Sequence, residues 1–188
     1  MPALYQFIQI AYWLALSTWF GAVLFVAVAW PVILSTVRDA NPVLPTVLSV
    51  NLEGQHGALL AGTIIANVIA RLSRYQFICA GALLITIAIQ LGARWQDWSS
   101  GIPRLILYLA AAGLLVYDWR FIEPRIQEQR KQYLDHADEP EVANAARQEF
   151  DRYHRRSVLI MLLLLAALLG IIVFSTTINP ALRAYLAG

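Results

Sequence analysis

The sequence predicts an all-α membrane protein, a bundle of four transmembrane helices, and three observations carry that expectation. Of 188 residues, 59% are hydrophobic and 14% are charged, little more than half the ~25% charged share of a soluble domain. Four runs with almost no charge approach the ~20 residues that a helix needs to cross a ~30 Å hydrocarbon core. The basic residues between those runs fall largely on one side of a four-span arrangement. The length suits a single domain over 1–188, and a formal charge of +2 offers no basis for a nucleic-acid partner.

The first run covers 4–37 and carries no charge before Arg38. It is longer than one crossing needs, so it must tilt or extend past the bilayer. Asn41, Pro42 and Pro45 then break the chain, because proline lacks a donor and disfavours helix in the residue before it. The next stretch, 53–71, has an apolar part of only 57–70. That is short for a span and predicts an interfacial or re-entrant helix.

The remaining spans are expected at 76–93, 104–122 and 157–178. Trp95, Trp98, Tyr117, Trp119 and Tyr153 mark their edges, where amphipathic rings rest at headgroup level. Residues 123–156 form the long hydrophilic stretch. Asp138-Glu139-Pro140-Glu141 has the form of a capping box with proline in the first turn, and Asp151 and Arg155 are spaced to pair. The expected result is a helical extension in which the third and fourth helices project as an antiparallel pair.

Orientation follows from the retention of Lys and Arg in the cytoplasm. Arg38, Arg71, Arg74, Arg120, Arg125, Arg130, Lys131, Arg147, Arg152, Arg155 and Arg156 share one side, against Arg94, Arg104 and Arg183 on the other. The loop 123–156 is therefore expected in the cytoplasm and both termini outside, in what reads as a bacterial inner membrane. A fifth span over 53–71 would move the N-terminus inside and leave the loop where it is.

Two histidines, His56 and His154, fall near membrane boundaries on that same side. Such a pair can ligate a b-type haem or touch a quinone; the competing reading is that each hydrogen-bonds at a helix end, with no cofactor. His136 lies in the hydrophilic loop and is expected to be solvated. Soft copper sites need several Cys and Met, whereas Cys79, Met1 and Met161 are scattered, so no metal site is expected. Asp118, Arg120 and Glu123 close the third run, either as a functional charge at membrane depth or as an interfacial network.

Arg120, Arg125, Arg152, Arg155 and Arg156 would gather if the two helices extend together. Such a cluster can hold anionic lipid headgroups or an acidic partner, or it is retention charge alone. Ser17, Thr18 and Gly21, like Gly81, Gly113 and Gly170, are small residues of the kind that let membrane helices approach closely. Phosphate loops, nucleophile elbows, zinc-protease helices and paired-carboxylate patterns are missing from the sequence, so catalysis has no positive case.

Several stretches together carry a likeness: Trp19-Phe20-Gly21 through Phe25 to Pro31, Ala61-Gly62 through Arg74-Tyr75, Glu123-Pro124-Arg125-Ile126, and Phe150-Asp151-Arg152-Tyr153-His154-Arg155-Arg156-Ser157. The pattern resembles the transmembrane protein 205-like family, whose bacterial members carry a domain of unknown function, and covers most of the chain. Arg155 follows His154 where that family commonly has glycine. Gly21 to Pro31 also has a more distant similarity to small membrane oxygenases related to anthrone oxygenase. The family resemblance implies a small four-helix membrane protein with no established enzymatic activity.

These readings lead to a non-enzymatic membrane protein, an accessory or scaffold subunit packing against other membrane subunits or lipids. Two alternatives stand beside it: a haem- or quinone-binding protein using His56 and His154, and a small-solute transporter.

Overall fold

A computed structural model describes residues 2–43, 56–95, 98–136 and 139–175, and every element in them is helical. Helix α1 spans Pro2–Asp39 and continues through Pro31. It places Arg38 in its last turn, where a cation complements the negative end of the helix dipole. The chain leaves through Asn41, whose φ of 42° is left-handed, a conformation that asparagine tolerates better than most residues.

Helix α2 runs unbroken over His56–Gly92. This corrects the separate interfacial helix expected over 53–71, of which 53–55 lie outside the described residues: residues 56–71 are the first part of a helix that also contains the apolar run 76–93. The physical reason is local. Arg71, Ser73 and Arg74 change the polarity of the chain, but arginine is a good helix former and no proline interrupts 56–92. Ser73 returns its hydroxyl to the Ile69 carbonyl at 2.9 Å, which satisfies it within the helix. The described residues therefore contain four helices long and apolar enough to cross a membrane, not five.

After Gly92 the chain turns through Arg94, with φ 54°, while the Trp95 N–H donates to the Gln90 carbonyl at 3.0 Å. Helix α3, Trp98–Tyr117, passes into a π-helical turn over Asp118–Ile122 and then into α4, Glu123–Asp135. Pro124 explains the change of register. It has no N–H to offer the carbonyl four residues back and its ring crowds that carbonyl, and the wider turn lets the Glu123 N–H reach the Asp118 carbonyl instead. Helix α5 spans Pro140–Ser175 and begins on proline with Glu141 in its first turn, as the sequence suggests. Asp138, the expected cap, lies outside the described residues.

The four long helical stretches have 36 to 38 residues each, about 55 Å at 1.5 Å per residue, against a hydrocarbon core of ~30 Å. Each has length to spare. The chain divides into two compact units, and every long stretch contributes to both: unit 1 comprises Met1–Val23, Arg74–Leu115 and Leu162–Gly188, and unit 2 comprises Leu24–Ser73 and Val116–Met161.

Unit 1 has a core of Leu16, Trp19, Leu83, Ile87, Ala111, Leu168 and Ile171, all completely buried. Small residues bring its helices together. Leu91 of α2 lies over Gly101 of α3, where an added Cβ would come within 2.6 Å of Leu91 Cδ2, and Leu107 of α3 lies over Gly170 of α5 at 2.8 Å on the same measure. In unit 2, Ala61, Ile65, Ile122, Ala143, Ala146 and Ile160 are buried, and Gly57 of α2 abuts the Val37–Arg38 backbone of α1.

The surface has the polarity of a membrane protein. Phe7 and Ile78 are each 67% exposed, while Gln90 and Arg104 are 1% and 2% exposed. A soluble chain would reverse those numbers, since apolar area is what water expels and unpaired polar groups are what an interior penalises. In lipid the outward Leu, Ile, Val and Phe side chains need no cover.

Candidate functional site

Polar groups collect in each unit, in different ways. In unit 1 they are internal. Tyr5, Gln9 and Tyr12 occupy one face of α1 at helical spacing, with Gln9 Nε2 donating to the Tyr5 hydroxyl at 3.2 Å and Trp95 set edge-on to Tyr5 at 5.1 Å. Tyr12 meets Ser175 of α5 hydroxyl to hydroxyl. Trp19 donates to Gln76 Oε1 at 3.1 Å, and the Tyr108 hydroxyl donates to the Ala80 carbonyl at 2.9 Å. The Gln9–Tyr5 bond stays within α1; the other three tie one helix of the unit to another and satisfy polar groups, as an interior without water requires.

Arg104 is the exception. Its guanidinium lies 5.1 Å from the centroid of the Tyr12 ring, a cation–π arrangement, and donates to the Tyr12 side chain. Its Nε and Nη2 have no hydrogen-bond partner, and neither has either amide atom of Gln90. In the sequence Arg104 stands at the expected start of a span, one of the few charges on its side. The structure instead buries it inside unit 1, where an ion without a counter-charge costs on the order of several kcal/mol.

In unit 2, Asp118 begins the π-helical turn, a distortion often found at functional positions. Its carboxylate lies near the Ser157 hydroxyl of α5, and Oδ1 is buried without a partner. Glu123 follows at the start of the hydrophilic stretch, and burial first, then the Asp118 charge, raises its pKa above the usual carboxylate range. An open groove of about 440 Å³ is lined by Trp119, Arg120, Glu123, Pro124 and Gln127.

His154, ahead of the apolar part of α5, stacks on Phe150 with centroids 5.8 Å apart and planes within 4°. Trp30 of α1 closes on it edge-on at 6.1 Å. Burial lowers its pKa below the ordinary histidine value, against a smaller opposing pull from Asp151, so the imidazole is neutral near pH 7. His56 is half-buried at the first residue of α2. Both histidines belong to unit 2, and the ring contacts of His154 are with aromatic side chains. Among the described residues no group of three or more His, Cys, Asp or Glu is placed to hold a metal ion.

Arg120, Arg125, Arg152, Arg155 and Arg156 are all exposed and all in unit 2. The contacts they make are with near neighbours on their own helical segments. Arg125 pairs with Glu128 at 3.2 Å, Arg152 pairs with Glu149 at 2.8 Å, Arg120 lies over Phe121 at 5.8 Å, and Arg156 lies over Tyr153 at 5.6 Å. The ion pair on that turn of α5 is thus Glu149–Arg152, in place of the Asp151–Arg155 pair suggested by spacing. His136 pairs with Glu139 at 3.2 Å and is 45% exposed.

Arg130, by contrast, reaches across to α2. It donates to the carbonyls of Leu59 and Gly62 at 3.1 and 3.4 Å, and to Thr63 Oγ1. In the sequence Arg130 reads only as retention charge; its role as a clasp between α4 and α2 has no sequence signal of its own. For Gln90 a signal did exist, an amide deep in the largely apolar run 76–93.

Compared with protein-family models, curated proteins and solved structures, the chain matches none.

Proposed function

We propose that this chain is a non-enzymatic integral membrane protein, an accessory or scaffold subunit whose arginine-bearing surface in unit 2 engages anionic lipid headgroups. The observation that carries the reading is the exposure of Arg120, Arg125, Arg152, Arg155 and Arg156 on a chain with four helices compatible with membrane spanning. Two of the five spend charge on exposed i,i+3 pairs, which contribute ~0–1 kcal/mol and yield readily to a better anion. Arginine's planar fork suits phosphate. In this reading the loop 123–156 is cytoplasmic and meets the anionic leaflet of a bacterial inner membrane, where each nearby arginine contributes about 1 kcal/mol.

The test is retention of lipid by the full chain in nanodiscs of mixed phosphatidylglycerol and phosphatidylcholine, read by native mass spectrometry. Enrichment of phosphatidylglycerol, lost when the five arginines become glutamine, supports the reading. Equal retention of both lipids overturns it, and so does purified protein that turns over a substrate.

A second reading, haem or quinone held at His154, is favoured by the neutral imidazole between Phe150 and Trp30. A Soret band in the purified protein that vanishes in His154→Ala would support haem, and a featureless visible spectrum removes it.

A further inference from the structure

Unit 1 contains a cation whose counter-charge is missing from the described residues. Arg104 is 2% exposed, keeps Nε and Nη2 without partners, and has the neutral ring of Tyr12 beside its guanidinium. The sequence of unit 1 includes a single acidic residue, Asp97, which lies outside the described residues, beside Arg74, Arg94 and Arg183 of the same sign as Arg104.

Gln90 points to the same region. Leu91, its neighbour on α2, packs on Gly101 of α3, and Arg104 follows Gly101 by one turn. The Gln90 amide, 1% exposed, has both of its polar atoms unsatisfied. Two nearly complete burials of hydrogen-bonding groups, both short of partners, describe a site built for something that supplies acceptors and negative charge. The free guanidinium edge offers parallel donors that match the two oxygens of a carboxylate or phosphate.

We infer that the end of unit 1 formed by α1, α2 and α3 binds an oxyanion, a carboxylate or phosphate, with Arg104 as the charged contact and the Gln90 amide as its neutral companion. The site is distinct from the unit 2 arginines. Tyr12 fixes the guanidinium from one face, leaving the edge carrying Nε and Nη2 for the ligand.

The test uses the full chain, delipidated in a neutral detergent, with dodecanoate, dodecyl phosphate, inorganic phosphate and dodecanol as probes. Binding is read by calorimetry and by the shift in melting temperature. The expected result is saturable binding of dodecanoate or dodecyl phosphate that weakens about ten-fold or more in Arg104→Lys and less in Gln90→Leu. It persists in a variant with the five unit 2 arginines changed to glutamine, so failure here and failure of the surface-lipid reading are separable.

Inorganic phosphate binding as tightly as dodecyl phosphate identifies a free anion as the ligand; a requirement for the tail identifies an amphiphile. Either supports the site. Equal binding of dodecanol overturns it, as does the absence of binding to wild type. Binding that emerges only in Asp97→Asn also overturns it, because Asp97 is then the native counter-charge.

Discussion

Unit 1 hides its polar groups and unit 2 wears most of its own. In unit 1, Arg104 and Gln90 are buried with atoms left over, and the bonds around them join different helices. In unit 2 most charges lie outward and the ion pairs among them close within a turn, whereas Asp118 has a buried carboxylate oxygen and Arg130 reaches across to α2. The difference teaches where energy is concentrated. A polar contact sheltered from water is expensive to lose, whereas an exposed pair is screened and nearly dispensable.

The largest expected effect is in unit 1. Trp19 is fully buried and donates to Gln76, so Trp19→Ala should cost about 3–5 kcal/mol through lost packing and an orphaned amide, measured as the shift in a reversible denaturation midpoint in detergent. A loss below about 1 kcal/mol would show that unit 1 is not tightly packed.

Glycine contacts sharpen the comparison from the other direction. Alanine at Gly57 would set its Cβ 3.1 Å from the Arg38 Cα and 3.3 Å from the Val37 carbonyl, both backbone atoms, whereas at Gly101 it meets the end of the Leu91 side chain. Gly57→Ala is therefore expected to cost about 1–3 kcal/mol, and Gly101→Ala less, because a leucine can change rotamer where a helix backbone cannot. Equal melting temperatures for the two variants would contradict this ordering.

Arg130→Ala removes three donor contacts to α2. With the side chain half-exposed, the loss should be about 1 kcal/mol, visible as faster hydrogen exchange over the first turns of α2 and little change in the amides of unit 1.

A pH effect should also belong to unit 2. Because burial lowers the pKa of His154, the unfolded chain binds its proton more readily, and the folded state gains stability from the neutral ring above the ordinary value of about 6.5. That gain is lost as pH falls through the lowered folded value. Melting temperature followed from pH 8 downward should drop less in His154→Phe, which keeps a ring against Phe150; identical profiles would remove His154 as the cause.

The smallest effect is expected on the outside of α4. Arg125 and Glu128 have side chains 58% and 50% exposed, so Glu128→Gln should change stability by less than about 0.5 kcal/mol.

Much of this architecture was legible in residue order. The four apolar runs, the break at Asn41-Pro42 and the proline that opens α5 follow from local chemistry, solvent transfer and a missing N–H; of the glycines expected at helix contacts, Gly170 lies against Leu107, whereas Gly21, Gly81 and Gly113 face open space. The polar residues near 71 suggest a helix boundary in the sequence, but a change of solvent does not by itself end a helix, and α2 continues through them. The π-helical turn was not foreseen although its cause, Pro124, stands in the sequence, since the ladder can answer a proline by ending, kinking or widening.

Candidate residues divide along the same line. His154, Asp118 and the five exposed arginines could be singled out by type and position. That His154 rests against Phe150 and Trp30, that Arg130 clasps α2, and that Arg104 is interior could not, because each depends on which face of one helix meets which face of another. Composition and run length determine what solvent a segment prefers, which is a property of each residue in turn. Burial of a charge is decided by packing between segments far apart in the chain, and only the tertiary structure shows that, among the described basic residues, Arg104 is the one left inside with donors to spare.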